Sequence, residues 1–183
     1  MSEPTPPSHL SRLDQQVLLL LAERAVGALG TLEDDGSPAV SMVPFAVDGA
    51  AGELILHVSA LSAHTRQMQQ DDRVSLLVTA ADDAADLPQA LPRVTVQARA
   101  RFEAAGSEAA ARCQALYLAR HPAAELMTQL PDFAFVRLRP TAVRHIAGFG
   151  AARSVDPAVF AGLLAAVAVR PVGVPAADTP RAD

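Results

Sequence analysis

The turns between the first apolar runs of this chain constrain its fold more than any other feature. The tetrapeptide DDGS at 34–37 separates the run Ala25–Leu32 from the run Pro38–Val47. Asp48-Gly49 then opens a second turn, and the next apolar run is Glu53–Ser59. Short connections of this composition are typical of β-hairpins, and they are too short for the crossover that parallel strands need. The sequence therefore predicts an antiparallel sheet at the start of the domain.

The rest of the chain adds strands and inserts helices between them. Arg93–Phe102 has the cleanest period-two alternation, with apolar side chains on one face and Arg, Thr and Gln on the other. The other predicted strands are Arg73–Thr79, Asp132–Arg139 and Ala142–Phe149. The predicted helices are Leu13–Arg24, Ala63–Gln70, Ser107–Arg120, a short one ending at Leu130, and one from Asp156 to Ala166. This order favours a mainly β fold, a small antiparallel barrel with helices.

Length and composition set the class of protein. The 183 residues predict a single folded domain over residues 11–167, between disordered segments at 1–10 and 168–183 that are rich in proline and small residues. The formal net charge of −5 argues against a nucleic-acid partner. The run Val17–Ala22 is too short to cross a bilayer, and a single cysteine, Cys113, fits a reducing compartment. We therefore expect a soluble, cytoplasmic protein with no membrane partner.

A polar segment lies where the strand Glu53–Ser59 gives way to the helix Ala63–Gln70. Its side chains could bind an anion, because the first N–H groups of a helix have no internal partners and the helix dipole is positive there. The alternative is a solvated helix start that Ser62 caps. We call this segment the knot; its residues are Ser59, Ser62, His64, Thr65 and Arg66.

Other patterns are less specific. Pro44 lies within the strand Pro38–Val47, which predicts a free edge or a bulge that serves a ligand or protects against aggregation. The polar face of Arg93–Arg101 could meet solvent, a second subunit or a ligand. The histidines and Cys113 do not have the spacing of a metal site, and no nucleophile motif is present. No metal and no catalytic residue is therefore predicted.

Five segments, taken in order, resemble a known family. They are GTLEDDGSPAVSMVPFAVD, VSALSAHTRQMQQDDRVSLLV, PRVTVQARARF, LYLARHPAAELMTQLPDFAFVRL and AGFGAAR, and they cover roughly residues 12–165. The series is similar to the FMN-binding split-barrel proteins related to pyridoxamine 5′-phosphate oxidase, and most similar to the haem-utilisation branch. The resemblance implies a six-stranded antiparallel split barrel with helices, assembled as a homodimer with the cofactor at the interface.

The resemblance also implies the cofactor and its contacts. FMN is expected, with its phosphate at Ser59, His64, Thr65 and Arg66. Further contacts are expected along the flavin ring and from the partner subunit, at Ser41, Met42, Val43, Arg93, Val94 and Phe149. The expected function is an FMN-dependent oxidoreductase acting on a small molecule. The alternatives are a haem-binding or haem-degrading protein on the same scaffold, and a non-catalytic dimeric module that binds a cofactor.

Overall fold

The computed structural model describes residues 10–167, which form four α-helices and eight strands. The helices are α1 (Arg12–Glu23), α2 (Ala63–Gln70), α3 (Glu108–Arg120) and α4 (Pro157–Ala165). The strands are β1 (Val26–Leu32), β2 (Pro38–Pro44), β3 (Ala46–Asp48), β4 (Glu53–Ser59), β5 (Arg73–Thr79), β6 (Arg93–Phe102), β7 (Phe133–Ile146) and β8 (Ala152–Val155). The predicted disorder at 1–10 and 168–183 falls, except for Leu10, outside the described residues.

The strands form one antiparallel sheet in the order β2-β1-β5-β6-β7-β4-β3, and β8 pairs with β7. The sheet curls into a half-barrel, so the predicted class, an antiparallel split barrel with helices, is confirmed. The sheet has eight strands rather than the six that the resemblance implied. Relative to the seven predicted segments, one is divided, two are joined into β7, and the short strand β8 was not predicted. Strands β2 and β3 lie at the two ends of this order although they are consecutive in the chain.

The inner face of the curled sheet holds the main core. Buried side chains alternate with more exposed ones along β1, β5 and β6, so every second residue of these strands points inward, whereas β4 is buried on both faces. Helices α1 and α4 cover this core, and Val17 and Phe160 are fully buried in it. The central strands contribute residues such as Leu29, Leu76 and Val96.

The outer face of the sheet is covered on one side only. Helix α3 packs on β3, β4 and β7, where Cys113 and Tyr117 join Ile55 and Phe135 in a second buried cluster. Beneath α3 the buried Arg137 binds Asp48 at 2.8 Å. In the part of the chain that the structure describes, no helix covers the outer face of β2, β1, β5 and β6. We call this uncovered surface the outer face.

Two strand boundaries differ from the predictions. The predicted break at Pro140 does not occur, because the register shifts opposite Gln97 and Ala98, where Thr141 is an extra residue of β7, and β7 runs through the proline as one strand. The predicted strand Pro38–Val47 is divided at Phe45 into β2 and β3. Between residues 10 and 167 the longest helix has 13 residues, so no helix in this range is long and apolar enough to cross a membrane.

Candidate functional site

Two hydroxyl groups of the knot are engaged inside the protein. The Thr65 side chain is buried and donates a hydrogen bond to the Ser59 carbonyl at 2.7 Å. The Ser59 hydroxyl donates to the Asp132 carboxylate at 3.0 Å. Ser62 caps α2 by its backbone conformation, without a side-chain hydrogen bond to the helix. These hydroxyls therefore stabilise the strand-to-helix corner, and a carboxylate lies where a phosphate was predicted.

The two basic residues of the knot have different surroundings. His64 is half-buried, and its Nδ1 lies 3.1 Å from the Ser41 hydroxyl on β2. Burial lowers the pKa of His64, which favours the neutral imidazole. Arg66 is exposed and forms no ion pair with any residue between 10 and 167. The structure thus brings Ser41 and His64 together and leaves Arg66 available to an anion.

The remaining predicted residues lie apart from the knot. Val43 and Val94 point into the barrel core. Met42 points to the outer face and is 67% exposed. Arg93 begins β6 on the outer side and donates to two backbone carbonyls of the preceding loop. Phe149 lies in the turn between β7 and β8 and is 80% exposed. The ten predicted positions are therefore divided among the knot, the core, the outer face and a loop.

The outer face contains a groove that follows a row of small residues across the strands. The strand pairings place Val40, Gly30, Ser75, Gln97 and Ala142 in register on five neighbouring strands. Gly30, Ser75 and Ala142 have little or no side chain, so the surface is low along this row. The groove has a volume of about 520 Å³, which is within the range of small-molecule sites.

Larger side chains rise on one side of the groove. The adjacent row of the register contains Met42, Ala28, Leu77, Thr95 and Arg144. Met42 stands beside Val40, which is 74% exposed, so an edge of this wall is apolar and open to solvent. These residues come from the edge strand β2 and the strands next to it.

The other wall is apolar at one end and basic at the other. Leu32 and Pro38 line it at β1 and β2, whereas Arg73 and Arg99 line it at β5 and β6. Arg139 continues the row on β7, directly opposite Arg99. The groove therefore offers a low floor, mostly apolar but with Ser75 and Gln97 in it, and guanidinium groups at one margin. Sequence reasoning missed it, because the row appears only once the register of five strands is known.

No histidine lies on the outer face of β2, β1, β5 and β6. His57 packs against Phe133 and Phe135, with ring centroids at 4.8 and 4.6 Å. His121 lies within hydrogen-bonding distance of the Phe45 carbonyl, at 2.8 Å, and His145 is buried in the barrel. Burial lowers the pKa of each of these three imidazoles. Outside the knot, the described histidines are therefore packing residues.

Comparison with known proteins distinguishes between the two expected ligands, FMN and haem. The chain is 34% identical over 140 residues to the non-canonical heme oxygenase HOZ, chloroplastic, of Arabidopsis thaliana, covering 75% of this chain and 41% of that protein. It is 29% identical over 148 residues to the heme oxygenase HutZ of Vibrio cholerae, covering 79% of this chain and 82% of that one. The chain thus spans less than half of the Arabidopsis relative.

A similar solved structure is also of a protein that is named for haem. The fold matches a heme-binding protein from Mycobacterium smegmatis with a TM-score of 0.73 and 28% identity, covering 86% of this chain and 62% of that one. These similarities overturn the prediction of FMN and of an FMN-dependent oxidoreductase, because the similar proteins are named for haem. The error has a physical reason: the motifs quoted above build the split-barrel corner, with Ser59 and Thr65 in internal hydrogen bonds, and do not themselves select a flavin phosphate.

The predicted haem-utilisation resemblance is confirmed by the same comparisons. The family model that matches describes pyridoxamine 5′-phosphate oxidase, and it covers residues 13–147. That range runs from α1 to the end of β7 and so includes the knot and the residues of the outer face. The chain belongs to the pyridoxamine 5′-phosphate oxidase family.

Proposed function

We propose that this protein binds haem, as cargo or substrate, in the groove of the outer face. The observation that carries the proposal is the groove itself, about 520 Å³ in volume, mostly apolar along its floor and basic at one margin. It is open to solvent, and its residues come from five neighbouring strands of one sheet, β2, β1, β5, β6 and β7. The names of the relatives point to the same ligand.

The chemistry of haem matches this surface. Haem is a flat apolar ring with two carboxylate groups on one edge, so a site needs a flat apolar area and nearby cations. The groove extends from β2 to β6, and three strand spacings amount to about 14 Å. Gly30 and Ser75 leave room for a ring to approach the backbone, and Met42 and Leu77 form one apolar side. The chain's own part is to bind and orient the ring and to exclude water from one of its faces.

A second copy of the chain is part of the proposal. Val40 and Met42 expose 74% and 67% of their surface on an edge strand, which is costly for a protein that remains alone. A homodimer in which the outer faces meet would cover these side chains and enclose the haem.

Ser41, His64 and Arg66 stay in the proposal as an anion contact of the same ligand. They lie behind β2 when it is viewed from the outer face, and β2 is a terminal strand of the sheet. A carboxylate could reach them only around the free edge of β2. Arg93, on the outer side of β6, and Phe149, in the turn between β7 and β8, are retained in the same way, without a described contact to the groove.

A haem titration tests the proposed function. Purified protein free of haem is titrated with haem while absorbance is recorded across the Soret region. We expect a saturable Soret shift with one haem per chain or per dimer and a Kd in the micromolar range or tighter. A linear increase identical to that of haem in buffer would overturn the proposal.

Haem degradation is a second candidate, favoured by the names of the Arabidopsis and Vibrio relatives. The haem complex is incubated with ascorbate in air, with catalase present to remove free peroxide. Loss of the Soret band in the complex, but not in a haem–albumin control, would support degradation. A stable Soret band would leave haem binding as the function.

A further inference from the structure

One row of the outer face concentrates positive charge. Arg73, Arg99 and Arg139 lie in register on β5, β6 and β7, so three guanidinium groups stand on the same side of neighbouring strands. Like charges directly opposite each other on a sheet destabilise the strand pair. Repulsion among these three guanidinium groups therefore destabilises this part of the sheet, and a bound anion would offset the repulsion.

Carboxylates of the protein neutralise the row only in part. Arg73 pairs with Asp71 at 2.5 Å, and Arg99 pairs with Asp72 at 2.5 Å. Both pairs lie at the surface, where such interactions are weak and easily exchanged. The side chain of Arg139 forms no ion pair or hydrogen bond with any residue between 10 and 167. The Arg139 guanidinium is thus available to a ligand. Those of Arg73 and Arg99 can exchange their surface carboxylates for a ligand's carboxylate.

The next arginines along the same strands are different. Arg101 pairs with Glu103 at 2.9 Å, and Arg137 is buried with Asp48 at 2.8 Å. Those charges are matched by protein carboxylates and lie beside or beneath α3. The row that borders the groove is matched only in part, because Arg73 and Arg99 line the groove and Arg139 beside them has no carboxylate partner among residues 10–167.

We infer that Arg73, Arg99 and Arg139 form a carboxylate-recognition margin that makes the groove selective for a tetrapyrrole with free carboxylate groups. This inference rests on the proposed function, since the groove must first hold the ring. A guanidinium group binds a carboxylate through two parallel hydrogen bonds, and the row presents three such groups across neighbouring strands. The apolar floor holds the ring, and the row selects its charged edge.

The test compares haem with its dimethyl ester, which keeps the ring and the iron but has no carboxylate. Both are titrated into the full-length protein and its Arg99→Gln and Arg139→Gln variants. We expect the wild type to prefer haem, and each variant to weaken haem binding about tenfold, the effect of losing one charge-assisted contact. Binding of the ester should stay unchanged in both variants.

Arg101→Gln is the matched control, because it removes the same charge from the same face of β6 only two residues from Arg99. It should bind both ligands as the wild type does. Equal affinity of the wild type for haem and the ester, or equal haem affinity in all three variants, would overturn the inference while the proposed function stands. Binding of neither ligand would overturn the proposed function and this inference with it.

Discussion

At the scale of single residues, burial rather than charge pairing governs the histidines. His145 is 0% exposed, its Nδ1 accepts a hydrogen bond from Arg153 Nε at 3.4 Å, and its Nε2 has no partner among residues 10–167. A second proton on this ring would lie beside the Arg153 guanidinium. The folded state therefore holds the imidazole neutral, and burial lowers its pKa.

The lowered histidine pKa values make the free energy of unfolding decrease as the pH falls. Burial lowers the pKa of four histidines from 6.5, so the unfolded chain binds more protons than the folded one below that value. We expect the free energy of unfolding to be flat above about pH 7 and to fall as the pH drops through 6.5. The pKa of Asp48 is also lowered, but protonation of Asp48 reduces the free energy of unfolding only at lower pH, as the pH falls through 3.8 and below. Urea unfolding at pH 5 to 8 checks this, and greater stability at pH 5 than at pH 7 would contradict it.

The knot can be tested separately from the groove. The double variant His64→Ala, Arg66→Ala removes both basic side chains and leaves the internal hydrogen bonds of Ser59 and Thr65 in place. We expect haem affinity to fall by about tenfold or less, because the knot would contact only one carboxylate at the edge of β2. The measurement is the Soret titration. If the affinity is unchanged, the knot is a structural corner and the site lies in the groove alone.

At the scale of elements, local sequence patterns predicted the strands and helices whose ends are set by residues nearby in the chain. The predicted bounds of β4, α2, β5 and β6 are the observed ones, because turn residues and clear periodicity delimit each of them. The prediction of a break in β7 was wrong, and β8 was not predicted. Pro140 is tolerated because β7 has one extra residue, Thr141, where the β6–β7 register shifts, and β8 exists only by pairing with β7.

The candidate site was less predictable than the fold. The outward direction of Met42 and Arg93 follows from strand alternation, but their distance from the knot depends on which strand lies at the sheet's end. The groove needs Gly30 and Ala142, far apart in sequence, to lie in one row. Registers of this kind are set by long-range pairing, which periodicity does not reveal.

Two glycines of β1 give an element-scale prediction. A Cβ on Gly27 would lie 2.9 Å from the Leu77 carbonyl oxygen, whereas one on Gly30 would lie 3.5 Å from the Ser75 carbonyl oxygen. We expect Gly27→Ala to lower the free energy of unfolding by about 1–3 kcal/mol, because the strand pair must separate. Gly30→Ala should change it by less than about 1 kcal/mol. Equal effects in urea unfolding would show that the β1–β5 spacing is not as described.

At the scale of the whole molecule, the outer face predicts the assembly. Light scattering coupled to size-exclusion chromatography should give twice the chain mass of 19.1 kDa, since a second copy would cover Val40 and Met42. Val40→Asp should shift the mass toward a monomer, because an aspartate would be desolvated in the contact. A wild type that stays monomeric at high micromolar concentration would contradict the proposed dimer.

The central claim is that haem lies in the groove of the outer face. Gly30→Leu fills the middle of that groove, whereas Gly162→Leu adds the same side chain on α4, where a Cβ meets nothing within 4 Å. The decisive measurement is the haem titration of these two variants side by side, after circular dichroism has shown that both fold. The account predicts at least about tenfold weaker binding for Gly30→Leu and wild-type binding for Gly162→Leu. Wild-type haem affinity in a folded Gly30→Leu protein would contradict it.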